Sequence, residues 1–437
     1  MKTPHLVRAV FASLLFTASA QAQPDSLSAL NRRANELYHA GQYRRAAELS
    51  QQVVAESRRQ LGPNHPAVAT ALNNHATILL ALGREQDAEQ AYRQALAIRE
   101  AHYGPNHPRV AVVCNNLAEL YRIVGRWDDA RSLYERALAI HRTHDGETSD
   151  AVAIIWDNLG WYHRARGDFA EAERCAQRAL DIYRHNRPNH DPDIARSLAT
   201  IAFLKAAQGD LAQATSLAEE ACRLLETQLG PHHLHLAHAL IILAEIRIAA
   251  GDLMAAEPPV RRALEIRRQQ LGRDHPQVAA ALSTLAFLKK ARGNLPAAES
   301  YARQAHAIRR KQYGDDHRLV AASHTQLADL HALQGQLDTA QIHAEKAAAI
   351  RTANFGDADE RVATAWNNLA MLHRVRGEYI EARQLYQRAL AAYERSVGPN
   401  DPRVATVLEN LAAIHELTGD RVARDECLAR ARQIRGL

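Results

Sequence analysis

Aromatic side chains are scarce in this chain, at 5% of 437 residues, and its charges nearly cancel, with 54 Lys and Arg against 49 Asp and Glu. The formal excess of +5, part of which is Lys2 and Arg8 in an N-terminal leader, is too mild to argue for nucleic acid. A single-strand binder would also interleave its basic residues with stacking rings. Beyond the leader no apolar run approaches the roughly 20 residues that a membrane span needs. Walker A, Gly-x-Gly-x-x-Gly, His-Glu-x-x-His and Gly-x-Ser-x-Gly sequences are all missing, and the carboxylates are scattered over solvent faces. Catalysis and cofactors are therefore not expected. What is present, 47% hydrophobic and 24% charged residues, supplies ample core and is not a disordered composition.

Residues 1–22 combine a basic start, an apolar stretch from Ala9 to Ala18 and the small-residue tripeptide Ala20-Gln21-Ala22. This pattern reads as a cleaved secretory signal, which places the mature chain, 23–437, in the periplasm or outside the cell. Through that mature chain runs one period. Gly41, Gly83, Gly125, Gly167, Gly209, Gly251, Gly293, Gly335, Gly377 and Gly419 follow one another at 42 residues without a slip. A second series in the same register passes through Gly62, Gly104, Gly146, Pro188, Gly230, Gly272, Gly314, Gly356 and Gly398. Repeats of this length mean a solenoid or array and leave no room for a separate domain.

Between the glycines the apolar spacing is helical. Ala69, Leu72, His75, Ala76 and Leu79 share one face before Gly83, and Ala88, Ala91, Tyr92, Ala95, Leu96 and Arg99 share another before Gly104. Each unit is a helical hairpin, with Asp168, Asp210, Asp252, Asn294 and Asp420 placed to cap second helices. Pro258-Pro259 falls in a second helix and is expected to kink it. Alanine recurs from Ala46 to Ala382 at one address where the two helices approach. Arg33, Arg424 and Arg432 replace apolar or small residues in the first and last units, as end caps of a solenoid require. Cys114 stands at the address of Leu72, and Cys175 and Cys427 at that of Leu133, so the cysteines read as small core residues although an exported chain could oxidise them.

Leu117, Ala118, Tyr121, Gly125, Ala130, Tyr134 and Ala137 follow the tetratricopeptide-repeat pattern, and the 42-residue length with linkers such as Leu61-Gly62-Pro63-Asn64-His65-Pro66 resembles the kinesin-light-chain-like subtype. The resemblance covers about residues 27 to 435. It implies an all-α, right-handed superhelical solenoid of ten hairpins, with the first helix of each hairpin lining a concave groove that takes peptide ligands. At roughly 100° per residue, addresses 70, 73, 74, 77 and 81 form one arc of the first helix opposite its packing stripe. Asparagine recurs there at Asn73, Asn74, Asn115, Asn116, Asn158, Asn367, Asn368 and Asn410. A carboxamide can pair with the backbone of any extended peptide; the alternative is that these amides bond to neighbouring helices and hold the repeats in place. Trp161, Phe203 and Phe287 would point apolar surface into the groove. Arg122, Arg164, Lys290 and Arg374 form either a solvated rim or a cationic ledge that favours an acidic ligand segment.

His232, His233, His235 and His238 crowd into seven residues, but His233 sits at the linker address of His65, His107, His275 and His317, so no metal is expected there. The chain thus reads as an exported, non-enzymatic scaffold that holds an extended protein or peptide segment in its concave face. Two rival readings stay open: an assembly or oligomerisation module acting through its convex face or ends, and an accessory subunit of a separate envelope enzyme.

Overall fold

The computed structural model describes residues 25–187 and 191–436. The leader, and residues 188–190 of the fourth linker, lie outside the described residues. Twenty helices and no strand occur among them. The first helices of the hairpins are α1 (Asp25–His39), α3 (Pro66–Ala81), α5 (Pro108–Val124), α7 (Asp150–Ala165), α9 (Pro192–Gln208), α11 (Leu234–Ala249), α13 (Pro276–Ala291), α15 (Arg318–Leu333), α17 (Glu360–Val375) and α19 (Pro402–Thr418). The second helices are α2 (Tyr43–Leu61), α4 (Glu85–Tyr103), α6 (Trp127–Asp145), α8 (Phe169–Asn186), α10 (Leu211–Leu229), α12 (Glu257–Leu271), α14 (Leu295–Tyr313), α16 (Leu337–Phe355), α18 (Tyr379–Val397) and α20 (Arg421–Arg435). This is an all-α solenoid of helical hairpins. It is divided into two compact units, one running to Leu288 and the other beginning at Lys289.

The period translates directly into packing. Every alanine of the close-approach series, Ala46, Ala88, Ala130, Ala172, Ala214, Ala256, Ala298, Ala340 and Ala382, is fully buried. Asp168, Asp210, Asn294 and Asp420 accept from the backbone N–H three residues on, as N-caps do. The linker histidines have the same role for first helices. Nδ1 of His65, His107, His233, His275 and His317 accepts from the N–H two residues on, each at 3.1 Å. Asp191, Asp359 and Asp401 do the same at that address.

Pro258-Pro259 departs from expectation. The prolines do not kink a full-length helix; they sit in its first turn, where their missing N–H groups cost nothing, and α12 begins at Glu257, 15 residues long against 19 for α10. Asp252 instead caps a turn, accepting from Ala255 N–H at 3.0 Å. Cys114, Cys175 and Cys222 are buried, Cys427 is half-buried and all four are free thiols, which agrees with their apolar addresses.

Within the first unit the chain also meets itself over a long sequence distance. Nε2–H of His275 donates to the His39 carbonyl at 3.2 Å, and the α1–α2 turn abuts the linker before α13 so closely that a Cβ on Gly41 would lie 2.5 Å from Cδ of Pro276. His275 is 3% exposed. In the second unit Trp366, Tyr386, Tyr393, Leu408 and Leu411 form one core, and α20 closes it with Ala431 as its single buried residue among the described ones. The remaining faces of α20 are rich in arginine, as a terminal cap facing water should be.

Candidate functional site

First helices of neighbouring hairpins touch one another, α3 against α5, α5 against α7 and α17 against α19. That contact decides the fate of the asparagine series. Asn116 Nδ2 donates to Asn73 Oδ1 at 3.0 Å, Asn158 Nδ2 to Asn115 Oδ1 at 2.8 Å and Asn410 Nδ2 to Asn367 Oδ1 at 2.9 Å. The donor is always 43 residues after the acceptor, so address 74 of one hairpin reaches address 73 of the hairpin before it. Asn73, Asn74, Asn115, Asn116 and Asn158 are at most 2% exposed. This corrects their expected placement as open ligand contacts: Asn73, Asn115, Asn116 and Asn158 form rungs between first helices, while Asn74 is buried with only its Oδ1 engaged, by Asn73 Nδ2 of the same helix at 3.4 Å. Each rung is worth about 1 kcal/mol net, and more is lost if one partner is removed and the other left buried. In the second unit Asn367, Asn368 and Asn410 are half-buried and reach the surface.

Address 77 faces the second helix of its own hairpin. Thr77 Oγ1 and Tyr92 OH are 2.9 Å apart, and Tyr134 OH donates to Glu119 Oε2 at 2.9 Å. In three of the four hairpins whose second helix carries alanine at the tyrosine address, Ala176, Ala218 and Ala302, the first helix carries a ring, Trp161, Phe203 and Phe287; opposite the fourth, Ala344, stands Asp329. The three aromatics are half-buried, which fits rings that fill a missing tyrosine's volume and leave an edge in the arc.

Two of the four cations of the expected ledge, Arg122 and Lys290, are paired with carboxylates of the chain itself. Arg122 is 9% exposed and bidentate to Glu119 at 2.7 and 2.5 Å, so it is a buried ion pair and not a rim residue. Burial alone would lower the Arg122 pKa, but the Glu119 carboxylate overrides that and raises it. The Arg164 guanidinium lies over Trp161 and Phe203, 5.0 and 4.4 Å from the ring centroids. Lys290 pairs with Asp329 of the next hairpin. Arg374 is half-buried and works against the rise that burial gives the Tyr386 hydroxyl.

The arc opens in the last hairpins, and there it is apolar. Leu333, Val375 and Leu417 occupy address 81 of α15, α17 and α19 and are 56%, 60% and 54% exposed; Met371, one turn before Val375, is 43% exposed. Ala81, Ala165, Ala207, Ala249 and Ala291 hold that address in five of the seven earlier hairpins, with His39 and Ile123 in the other two. The sequence reading passed over these residues because it weighted rings and amides. The signal was leucine or valine in three successive hairpins at an address that is mostly alanine before them.

The sequence matches the Tetratricopeptide repeat family over residues 25–101, 109–185, 193–269, 240–311, 277–353 and 361–435. No curated protein matches the chain. Among solved structures it is similar to BtubC (BKLC) from P. vanneervenii, 26% identical over 52% of this chain and 91% of that one, with a TM-score of 0.45. It is also similar to a signal transduction ATPase with a tetratricopeptide repeat sensor from Pyrococcus horikoshii, 17% identical over 84% of this chain and 52% of that one, TM-score 0.51. A Rap protein complexed with Competence and Sporulation Factor is 13% identical over 94% of this chain and 98% of that one, TM-score 0.50. At these identities the last two likenesses speak to fold alone. Together with the hairpin geometry, the match along nearly the whole described length means that the chain belongs to the tetratricopeptide-repeat family, here with 42-residue repeats.

Proposed function

We propose that the chain is a non-enzymatic protein-interaction scaffold that holds an extended partner segment across the first helices of its second unit. The observation that carries this reading is the register of Leu333, Met371, Val375 and Leu417, exposed apolar side chains on three successive first helices. Single exposed leucines are ordinary on a protein surface, but an aligned series on one face marks a surface kept for contact. First helices about 8–10 Å apart are crossed by roughly three residues of extended chain per hairpin, so the ligand carries an apolar side chain at about every third position. Asn367, Asn368 and Asn410 flank the series with amides that reach the surface, and Arg374 offers a charge to an acidic ligand residue. Trp161, Phe203 and Phe287 are half-buried beside alanines of their second helices, and the buried amides of the first unit have a structural part.

The scaffold is proposed to work after export, with 1–22 removed; N-terminal sequencing of the mature chain and cell fractionation test that. The binding arc is tested by placing a photo-crosslinking residue at Val375 and, separately, at Arg383 on α18, and irradiating the protein in its own cell-envelope fraction. Adducts from position 375 that vanish when Leu333→Ser and Leu417→Ser are added are the expected result. Equal adducts from position 383 would instead favour an assembly module working through its outer face.

A further inference from the structure

The fourth hairpin alone combines an imidazole, a carboxylate and a thiol at three addresses that meet in space. His163, in the last turn of α7, stands at the address of Leu79 and Tyr121; on α8, Glu171 stands at that of Asp87 and Asp129, and Cys175 at that of Ala91, Leu133 and Leu385. Other hairpins hold one or two of these chemistries, His373 with Glu381 or His415 with Cys427, but none holds all three. One donor atom from each of His163, Glu171 and Cys175 lies within 4.8 Å of the other two. Glu171 and Cys175 are four residues apart and so share a face of α8. The addresses of His163 and Cys175 also meet in the eighth hairpin, where the rings of His331 and His343 are 5.5 Å apart.

A further departure from the repeat narrows the gap between the two helices at this level. The address of Gly160 is alanine in the nine other hairpins, from Ala34 to Ala412, although glycine is the poorer helix former. A Cβ on Gly160 would lie 3.3 Å from the Ala172 carbonyl oxygen and 3.7 Å from Cys175 Cβ, so the missing methyl lets α7 and α8 approach where Cys175 sits. His163 follows three residues later on the same face of α7. Its ring is less engaged than its counterparts. His331 Nδ1–H donates to Gln336 at 2.7 Å, and His373 Nδ1 lies 2.5 Å from Glu378. Asp168, at the same address, is one methylene shorter and takes Glu171 N–H on Oδ1; its Oδ2 stays 3.7 Å from His163 Nδ1, beyond hydrogen-bond range.

The geometry points to a transition-metal site in which His163, Glu171 and Cys175 bind one divalent ion of the zinc class and clip α7 to α8. A thiolate with an imidazole and a carboxylate suits zinc or cobalt and is a poor set for magnesium or calcium. Tetrahedral bonds of about 2.0–2.3 Å hold donor atoms roughly 3.3–3.7 Å apart, so each of the three closes on the ion by about 1 Å or less. His163 and Glu171 are half-buried, which leaves the fourth position to water. Burial lowers the His163 pKa and keeps its ring neutral, as a ligand must be. Burial pushes the Cys175 thiol up to about 12, so the ion displaces that proton to solvent as the metal–sulfur bond forms. Glu171 is held by Arg174, an exposed partner in a surface pair of the kind that contributes little and is readily exchanged. Arg131, Arg166 and Arg178 also face the cluster and oppose a dication, but Arg131 pairs with Glu135, Arg166 donates to Tyr162 OH and Arg178 lies over Trp156. The thiolate and the Glu171 carboxylate balance the two charges of the ion.

The test is equilibrium dialysis of the untagged, chelator-stripped full chain, kept free of oxygen, against zinc chloride, with cobalt(II) chloride as the spectroscopic probe. One zinc per chain is expected, and the cobalt form is expected to show a sulfur-to-metal charge-transfer band that zinc abolishes by competition. Both are lost in His163→Leu/Cys175→Ala, which copies Leu79 and Ala91 of the second hairpin and so folds, as helical circular dichroism checks. Both survive in Cys427→Ala. Glu171→Gln, and Gly160→Ala with the residue that the other hairpins carry, each weaken zinc binding roughly tenfold, the scale of a lost supporting residue. Failure of the native chain to bind zinc, a cobalt spectrum without the sulfur band, a band that persists in His163→Leu/Cys175→Ala, or one that disappears with Cys427→Ala each overturns the assignment.

Discussion

The first unit meets itself where the α1–α2 turn abuts the linker before α13, and Gly41 measures that contact. Gly41 has φ +72°, a region that costs a side chain about 1–2 kcal/mol, and its Cβ would lie 2.5 Å from Pro276 Cδ and 2.8 Å from His275 Cδ2. Ordinary carbon contacts are about 3.5–4.0 Å, so the α1–α2 turn and the linker before α13 must part, adding an overpacking cost of about 1–3 kcal/mol. Gly167 is the control: it has φ +84° at the same turn address, with nothing within 4 Å of its would-be Cβ. Gly167→Ala is thus expected to cost about 1–2 kcal/mol and Gly41→Ala about 2–5 kcal/mol. Urea denaturation followed by helical circular dichroism gives the totals, and hydrogen exchange gives the location. Amides at 38–43 and 275–279 should lose protection together in Gly41→Ala and stay protected in Gly167→Ala. Pro276→Ala should remove part of the excess cost of Gly41→Ala, a coupling that distant, independent sites do not show. Equal costs for the two glycine variants, with protection at 275–279 untouched, would mean that the α1–α2 turn and the linker before α13 are not in contact in solution.

Three further outcomes follow from the same geometry. Glu119→Ala strands the Arg122 guanidinium in the core and should cost about 3–5 kcal/mol, whereas Glu119→Thr/Arg122→Leu, which copies Thr77 and Leu80 of the second hairpin, should recover most of it in chemical denaturation. Asn115→Ala removes the acceptor of Asn158 Nδ2 and should cost about 1–3 kcal/mol, while Asn368→Ala, half-buried at the open end, should cost visibly less by the same assay. Burial lowers His75 and His275 to about 4, against roughly 6.5 in the unfolded chain, so the unfolded state takes up more protons between those values. Stability is then fully present above about pH 6.5 and declines as pH falls toward 4; a urea midpoint at pH 5 no lower than at pH 7.5 would contradict this.

The fold was legible because its determinants are local and recur from hairpin to hairpin: the turn glycines, the buried alanine at the helix approach, the capping Asp or Asn and the linker histidine all act within one repeat. The placement of the binding arc was less legible, because it depends on contacts between hairpins. A helical projection treats each first helix as isolated and assigns Asn73 and Asn116 to the same free arc, yet a 43-residue separation brings their amides to 3.0 Å. The pairing had a visible trace in the sequence. Asn at address 73 is followed by Asn at address 74 of the next hairpin for Asn73 with Asn116, Asn115 with Asn158, and Asn367 with Asn410. A ligand-reading residue has no reason to choose its partner 43 positions away, whereas a rung between helices does. The aromatics follow the same logic. Trp161, Phe203 and Phe287 each accompany an alanine where Tyr92, Tyr134 and Tyr386 stand in other hairpins, so the total volume between the two helices is roughly conserved while the residue supplying it changes sides. Once rungs and volume compensation are assigned to the solenoid itself, what remains unexplained by packing on the inner arc is the exposed series at Leu333, Met371, Val375 and Leu417. The donor set of His163, Glu171 and Cys175 beside Gly160 is the corresponding unexplained feature of the first unit. Residues that the repeat does not need are where function has room to reside.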